Sequence, residues 1–282
     1  MPYKYRGLDH VVVRVKDIEA ASRDYEKVLG IPGVNVGELD PSGGFRNALF
    51  PMGSSGMLIE LCQGLDATKQ AGGAFIRAIE RRGEGLHNVA LAVDDIEGAF
   101  ADFERRGTAI IPNARFRNFF LHPRVTHGVL FQILQPQRRI KSPSKGDVSY
   151  VRLHHVDIAV RDIVQAARDY ESVLGVNPAI PIKDNKALGI LEVFFIADGS
   201  GAVLGLYQPA DTTRQAGAAF ARFLEQHGEG VQCVALEVES VEQAHERAKG
   251  LNLPIVLSQH SRSFFLHPRA THGVLYQVMQ AR

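Results

Sequence analysis

The sequence predicts an α+β protein made of two similar domains, and three observations lead to this prediction. The chain has 282 residues, about twice the commonest domain size. Residues 116–135 recur at 261–280 with 14 of 20 letters identical, and the same offset of 145 residues relates other segments without a gap. Each half contains the pattern strand, helix and three strands twice, so the chain holds four βαβββ modules.

The first module begins with the apolar strand HVVVRV at residues 10–15. Asp17 is suited to cap the helix that follows, because its side chain can accept hydrogen bonds from the first turn. Gly30 predicts the end of this helix. Its apolar residues recur at helical spacing, which places them on one buried face: Ile18, Ala21, Tyr25, Val28 and Leu29. Short β-rich runs at 48–53 and 57–62 complete the module.

The second module repeats this plan from the strand NVALAV at residues 88–93. Either Asp94 or Asp95 is expected to cap its helix, and Gly107 predicts the end. The apolar face of this helix consists of Ile96, Ala99, Phe100 and Phe103. A further helix is predicted between the modules over residues 68–82, with its copy over 213–227.

The two halves are predicted to be separate domains. Residues 136–150, PQRRIKSPSKGDVSY, contain Pro, Ser, Gly and basic residues without periodicity, as a linker does. The expected boundaries are therefore 1–137 for the first domain, 138–150 for the linker and 151–282 for the second domain.

The composition narrows the classes of partner. Thirty-two Lys and Arg residues against 31 Asp and Glu give a formal charge of +1, which offers no electrostatic reason to expect nucleic acid or an anionic membrane. No apolar run reaches the length of a signal peptide core or a membrane span. Two cysteines make no disulfide framework. We therefore expect a cytoplasmic protein that acts on a small molecule.

Four segments carry a resemblance to a known family: LDHVVVRVKDIEAASRDYEKVLG, MLIELCQ, GEGLHNVALAVDDIEGAFADFERRG and FFLHPRVTHGVLFQI. With them the chain resembles the vicinal oxygen chelate superfamily of glyoxalase, bleomycin-resistance and extradiol dioxygenase proteins. Each half resembles a methylmalonyl-CoA epimerase. The resemblance implies that two modules pair edge to edge in each domain, forming a curved, cup-shaped mixed sheet. It also implies a divalent metal that polarises a carbonyl and stabilises an enolate while a carboxylate moves the α-proton.

The resemblance assigns one metal ligand to each of four inward-facing strand positions. In the first half these positions hold His10, Glu60, Asn88 and Gln132. His87 is an open alternative to Asn88 if a bulge shifts the strand register by one residue. The ion would be Mn, Co, Ni, Zn or Fe, and a polar cavity without metal remains an alternative. The matching positions of the second half, where a metal is less expected, hold His155, Gly205, Cys233 and Gln277.

The catalytic carboxylates of the family are only partly present. Gln132 and Asn47 stand where the epimerases have glutamates, and a carboxamide cannot accept and return a proton at neutral pH. In the first half, Glu60 or an acid from residues 38–40 would have to replace them. In the second half, Glu192 keeps the position that Asn47 has lost. Glu60 and Glu192 are therefore the predicted acid–base residues.

The two copies agree best around residues 117–128. Phe, Leu, Pro and Gly residues in this stretch are typical of a strand–turn–strand corner. The polar residues Arg117, His122, Arg124 and His127 are predicted to bind a carboxylate, a phosphate or the pyrophosphate of CoA. For His127, a role in closing the core is an equal alternative.

The leading hypothesis is a metal-dependent isomerase, epimerase or lyase that acts on a small carbonyl substrate through an enolate, with acyl-CoA among the candidates. The first alternative is a metal-free protein of the bleomycin-resistance type that binds a small ligand. The second is an extradiol-type ring-cleaving dioxygenase, whose two histidines and one carboxylate require His87 to face inward. The chain would act as a monomer that is a pseudo-dimer, or as a homodimer.

Overall fold

The computed structural model describes residues 2–113, 117–136, 140, 147–196, 203–258 and 262–281. Within these ranges, sixteen strands form two eight-stranded sheets, and six α-helices lie between strands along the chain. Most of the predicted linker, residues 138–139 and 141–146, lies outside the described residues.

Each sheet is formed by one half of the chain, that is, by one copy of the repeat. The strands of the first sheet are β1 (Tyr5–Arg14), β2 (Val34–Asp40), β3 (Phe45–Pro51), β4 (Leu58–Gly64), β5 (Gly85–Val93), β6 (Ile110–Asn113), β7 (Asn118–Leu121) and β8 (Phe131–Leu134). The strands of the second sheet are β9 (Tyr150–Ala159), β10 (Lys183–Asn185), β11 (Ile190–Ile196), β12 (Val203–Pro209), β13 (Gly230–Val238), β14 (Ile255–Leu257), β15 (Ser263–Leu266) and β16 (Tyr276–Gln280). The helices are α1 (Ile18–Leu29), α2 (Gln70–Arg82), α3 (Ile96–Arg105), α4 (Ile163–Leu174), α5 (Gln215–His227) and α6 (Val241–Gly250).

The two sheets have the same strand order, which is β2-β3-β4-β1-β5-β8-β7-β6 in the first and β10-β11-β12-β9-β13-β16-β15-β14 in the second. In each module the first strand pairs in parallel with the last, as β1 does with β4 and β5 with β8. The intervening pairs, such as β3 with β4, are antiparallel. The predicted α+β class, with four βαβββ modules in two paired-module sheets, is confirmed.

The helix ends follow the capping residues of the sequence. The Asp17 carboxylate accepts a hydrogen bond from the backbone N–H of Ala20 at 2.9 Å, and Gly30 ends α1 in the left-handed conformation with φ 72°. Asp95 caps α3, while Asp94 instead accepts the backbone N–H of Lys4 at 2.7 Å. The longest described helices have 13 residues, fewer than the roughly 20 that are needed to cross a bilayer.

Helices α1 and α2 pack on opposite faces of the first module. Tyr25 of α1 contacts Phe50 with ring centroids 5.6 Å apart. Phe75 of α2 packs in a cluster with Val12 and Cys62. Since side chains alternate along a strand, Glu60 lies on the same face of β4 as Cys62. The face on which α2 packs is therefore the face that carries Glu60.

By contact density the chain divides into two compact units that do not coincide with the two sheets. The first unit comprises Met1–Asp9, Val89–Gln137 and His154–Cys233, and the second comprises His10–Asn88, Arg138–Leu153 and Val234–Arg282. Each unit therefore takes residues from both halves of the repeat. The domain division at 1–137 and 151–282 stays a prediction.

Inside each compact unit, a buried tyrosine connects the two halves of the chain. The Tyr170 hydroxyl donates to the backbone carbonyl of Thr126 at 3.1 Å, and the Tyr25 hydroxyl donates to that of Thr271 at 3.0 Å. In each variant the buried carbonyl loses the hydroxyl donor and keeps only a backbone donor, the N–H of Val129 or of Val274. Tyr170→Phe and Tyr25→Phe should therefore each lower the free energy of unfolding by about 1 kcal/mol. Denaturant unfolding measures this loss. An unchanged midpoint would mean that these bonds contribute nothing.

Candidate active site

The centre of the candidate site is a pair formed by His10 of β1 and Glu60 of β4. His10 Nε2 lies 3.6 Å from Glu60 Oε2, and the two side chains are only 11% and 17% exposed. The parallel pairing of β1 with β4 places Val12 beside Glu60, so His10 and Glu60 occupy the same face of the sheet. An imidazole and a carboxylate thus face each other at two of the positions that the sequence predicts for metal ligands.

Asn47 of β3 holds the other oxygen of this carboxylate. Its amide Nδ2 donates to Glu60 Oε1 at 3.1 Å. Burial, together with the neighbouring Glu60, raises the pKa of the Cys62 thiol well above its usual range, so Cys62 stays protonated beside the carboxylate. The carboxylate is therefore oriented from one side and faces His10 on the other.

The two amide residues of the predicted ligand set lie on β5 and β8. Asn88 is buried at 3% exposure. Gln132 is in register with Ala90, two residues after Asn88 on the same strand, so alternation places both amides on one face.

His87 packs against α2. Its ring centroid lies 4.6 Å from that of Phe75. Burial, reinforced by the positive charges of Arg14 and Arg82, lowers the pKa of His87 from about 6.5 to about 3. Arg14 itself donates to the backbone carbonyls of Gly83, at 2.8 Å, and Leu86. His87 is therefore a neutral imidazole beside an aromatic ring and close to two cations.

This environment predicts a pH dependence. The folded-state pKa of His87 lies below that of the unfolded chain, so stability is lost as the pH falls from about 6.5 towards 3. The matched variant is His87→Gln, because Gln232 stands at the equivalent position of the second half. Between pH 7 and pH 5, wild type should lose about 2 kcal/mol more unfolding free energy than this variant. Equal losses in denaturant titrations would contradict the prediction.

The second half brings together a different set of side chains. His155 Nε2 lies 3.1 Å from Asp157 Oδ1, and His155 Nδ1 lies 2.7 Å from His154 Nδ1. Glu192 is buried, and Asn185 Nδ2 donates to its Oε1 at 3.2 Å. Gly205 offers no side chain and Cys233 is buried.

The predicted substrate residue His127 is held between two carboxylates. Its Nδ1 lies 2.9 Å from Glu229 Oε2 and its Nε2 lies 3.0 Å from Asp169 Oδ2. Both ring nitrogens of His127 are thus engaged by acidic side chains of the other half of the chain. These contacts agree with a role in closing the structure, one of the two alternatives for this residue.

The same arrangement occurs in the second compact unit. His272 Nδ1 lies 3.0 Å from Glu84 Oε2, and His272 Nε2 lies 3.1 Å from Asp24 Oδ2. Both histidines adopt φ 49°, in the left-handed region. We call these two groups the histidine clasps. Each clasp joins a residue of one half to two residues of the other half.

The other predicted substrate residues lie at the surface. Arg117 is exposed and pairs with Glu97 at 3.3 Å. His122 Nδ1 accepts the backbone N–H of Arg124 at 3.1 Å and thereby caps a short 3-10 turn. Arg124 lines a surface cavity of about 450 Å³, together with Arg106. Arg124 is thus the predicted residue whose side chain borders a space large enough for a small anion.

The donor set in the first half fits a divalent ion only weakly. His10 and Glu60 are close enough to bind one ion from adjacent coordination positions. Among the described residues, no group of three His, Cys, Asp or Glu side chains is placed to hold a metal. The amide oxygens of Asn88 and Gln132 would therefore have to complete the set. In the second half, the residues at the ligand positions do not fit such an ion.

Sequence reasoning missed three features of these sites. These are the bond between Asn47 and Glu60, the pairing of His155 with Asp157, and the acidic partners of His127. The repeat contained a signal for the last feature. Asp24 and Glu84 recur as Asp169 and Glu229 at the same offset as the histidines.

Comparisons with known proteins match each half of the chain to a glyoxalase-like family model. Residues 8–144 match the model of the glyoxalase-like domain, and residues 154–265 match that of the Glyoxalase/Bleomycin resistance protein/Dioxygenase superfamily. The mitochondrial methylmalonyl-CoA epimerase of Mus musculus is 30% identical over 139 residues, which are 47% of this chain and 75% of the epimerase. The ethylmalonyl-CoA/methylmalonyl-CoA epimerase of Cereibacter sphaeroides is 29% identical over 137 residues, 46% of this chain and 97% of that protein.

A solved structure matches nearly the whole chain. It is a mutant of 4-hydroxymandelate synthase from Streptomyces coelicolor, with a TM-score of 0.69 and 18% identity, and the match covers 99% of this chain and 94% of that one. At this identity the likeness concerns the fold. Together with the two family matches and the epimerase relatives, it shows that the chain belongs to the glyoxalase/bleomycin resistance/dioxygenase superfamily, with two such domains in tandem.

Proposed function

We propose that the first half of the chain is a divalent-ion-dependent enzyme that moves a proton next to the carbonyl group of a small substrate, with acyl-CoA thioesters as the first candidates. The observation that supports this function is the buried pair of His10 and Glu60, whose facing atoms are 3.6 Å apart. The relatives that match one half of the chain are named as epimerases of CoA thioesters. The class of reaction is thus isomerisation, epimerisation or lysis through an enolate.

His10, Glu60, Asn88 and Gln132 would hold the ion, which we expect to be Mn, Co, Ni, Zn or Fe. When bound, such an ion polarises a carbonyl oxygen and lowers the free energy of the enolate. The set contains one anionic group, Glu60, so half of the charge of a divalent ion would be left for the substrate to balance. This favours substrates that carry their own carboxylate or enolate oxygen.

Glu60 is also the residue we propose for proton transfer. Asn47 donates to its Oε1, and its Oε2 faces His10, so the carboxylate group is held in a fixed orientation. Asn47 itself cannot exchange a proton, because a carboxamide has no suitable pKa. With a single base the same group removes and returns the proton. This favours exchange, isomerisation or lysis over an inversion that uses two bases. Glu192, the other predicted acid–base residue, belongs to the second half and has no step in this reaction.

Arg117, His122 and Arg124 are proposed to bind the anionic part of the substrate. Their guanidinium and imidazole groups form strong charge-assisted hydrogen bonds to phosphate and carboxylate. Arg124 lines a surface cavity together with Arg106. His127 is assigned to its clasp instead, since both of its ring nitrogens contact carboxylates.

Deuterium exchange tests the proposed reaction. Protein stripped of ions and reloaded with Mn or Co is incubated with a panel of acyl-CoA thioesters in deuterated water, and the thioesters are analysed by mass spectrometry. We expect label at the α-carbon of at least one thioester with the loaded protein, and none with Glu60→Gln. Absence of label across the panel for a fully loaded wild type would overturn the enolate mechanism.

A metal-free binding protein of the bleomycin-resistance type is the second candidate. It is favoured by the amide at position 47 and by the absence, among the described residues, of three His, Cys, Asp or Glu side chains placed around a common point. The same observation disfavours a ring-cleaving dioxygenase, which requires two histidines and one carboxylate. Metal analysis separates the candidates, because a binder of this type takes up no stoichiometric ion.

A further inference from the structure

The second half keeps the strand positions of the candidate site but fills them differently. At the same offset of 145 residues, His10 corresponds to His155, Val12 to Asp157, Glu60 to Gly205, Cys62 to Tyr207 and Asn88 to Cys233. A carboxylate ligand has thus become a glycine, and a small thiol two residues later has become a large aromatic ring. These two replacements are linked in space.

The ring of Tyr207 occupies the space that a side chain at position 205 would need. A Cβ atom built on Gly205 would lie 2.6 Å from Tyr207 Cε2 and 2.8 Å from its hydroxyl oxygen. Real Cβ atoms do not approach other atoms this closely, so no ligand side chain fits at position 205 while this ring is present.

The packing around Tyr207 fixes the ring in this place. Tyr207 is 8% exposed and stacks on Phe220 of α5, with centroids 5.0 Å apart and planes inclined by 24°. Ala159, Ile190 and Leu224 belong to the same buried cluster. The ring is therefore part of the core of the first compact unit, and its removal would leave a cavity.

The polar side chains near Tyr207 contact one another. His155 Nε2, the counterpart of the His10 nitrogen that faces Glu60, lies 3.1 Å from Asp157 Oδ1. Asp157 is in register with Gly205, the residue over which the Tyr207 ring lies. Burial, together with the charges of Asp157 and Glu192, raises the pKa of Tyr207 well above its usual range, so the phenol stays neutral and can donate. Phenol, carboxylate and imidazole thus lie together at the position of the second site.

From this geometry we infer that Tyr207 and Asp157 close the second copy of the site: the phenol ring takes the volume of the lost ligand, and the carboxylate stands beside the histidine nitrogen that would bind an ion, in the place where the ion would lie. The chain then holds one ion, in its first half. The count of one ion rests on the proposed function, whereas the closure of the second copy does not.

Restoring the residues of the first half tests the closure. The variant Asp157→Val, Gly205→Glu, Tyr207→Cys copies Val12, Glu60 and Cys62 into the second half. Metal analysis after loading with Mn or Co and removal of free ion should give one ion per chain for wild type and two for this variant. Tyr207→Phe, which keeps the ring in place, is the matched control and should remain at one. A folded triple variant that gains no ion would overturn the inference.

Two further variants locate the ion in the natural chain. His10→Ala should lose it, whereas His155→Ala should keep it. Loss of the ion in His155→Ala would place it in the second half and overturn the closure. If wild type binds no ion at all, the proposed function fails, but a gain of one ion in the triple variant would still support the closure.

A measurement without metal covers the case in which the triple variant does not fold. Tyr207→Ala leaves a space the size of the lost ring, and enclosed apolar spaces bind small aromatic molecules. Phenol should therefore raise the Tm of Tyr207→Ala in a saturable manner and leave wild type unchanged. An equal response of both proteins would show that the ring does not fill an enclosed volume.

Discussion

Replacing Glu60 by glutamine will reduce the affinity of the first half for divalent ions by a factor on the order of 100 or more. Glu60 is the only anionic residue among the four proposed ligands, so the variant leaves an imidazole and three amides. Such a neutral set binds divalent ions poorly at neutral pH. Competition with a chromophoric chelator measures the change in Kd.

The second half supplies a matched control for this variant. Glu192 is a buried carboxylate whose Oε1 accepts an amide hydrogen from Asn185, just as Glu60 Oε1 accepts one from Asn47. Glu192→Gln should leave the ion affinity unchanged. An equal loss in both variants would mean that the effect is general to buried carboxylates and that Glu60 is not a ligand.

Replacing His127 by asparagine will lower the free energy of unfolding by about 2 kcal/mol. The variant breaks one histidine clasp and leaves the carboxylates of Asp169 and Glu229 without their imidazole partner. These carboxylates are 39% and 25% exposed, so water recovers part of the loss and the cost falls below that of a fully buried pair. Asparagine tolerates the left-handed φ of 49° at this position, so backbone strain adds little.

Denaturant unfolding at pH 7 measures this cost, and the same segment offers a control. His122→Asn changes an exposed histidine that caps a turn, and asparagine caps turns equally well, so the expected change is within about 0.5 kcal/mol. His272→Asn should behave like His127→Asn, because its clasp has the same contacts. A cost for His127→Asn no larger than that for His122→Asn would show that the clasp does not stabilise the fold.

The fold could be predicted from the sequence because several independent signals agree. Asp17 and Gly30 mark the ends of α1, and the apolar residues between them recur at helical spacing. The offset of 145 residues then repeats each assignment in the second half. The choice between Asp94 and Asp95 remained open, because both residues can cap a helix. In the structure Asp94 accepts a hydrogen bond from Lys4, far away in sequence, and Asp95 is the residue that caps α3.

The site was predictable in position but not in its partners. Alternation along β1 and β4 is a local property, so His10 and Glu60 could be placed on one face. The partner of Glu60 depends on the register of β3 against β4, which sets Asn47 opposite Cys62. The closure by Tyr207 required comparing two positions at once, since the gain of a ring and the loss of a ligand compensate each other in volume. Position 205 considered alone reveals only that the carboxylate of Glu60 has no counterpart in the second half.

The histidine clasps bear on how such a chain can arise. Each half carries a histidine and also the two acids that receive a histidine: the first half has His127 with Asp24 and Glu84, and the second has His272 with Asp169 and Glu229. One ancestral half would therefore already have presented both complementary surfaces to an identical neighbour. Joining two such halves in one chain keeps both clasps, so the residues of one copy of the site can change while these contacts remain.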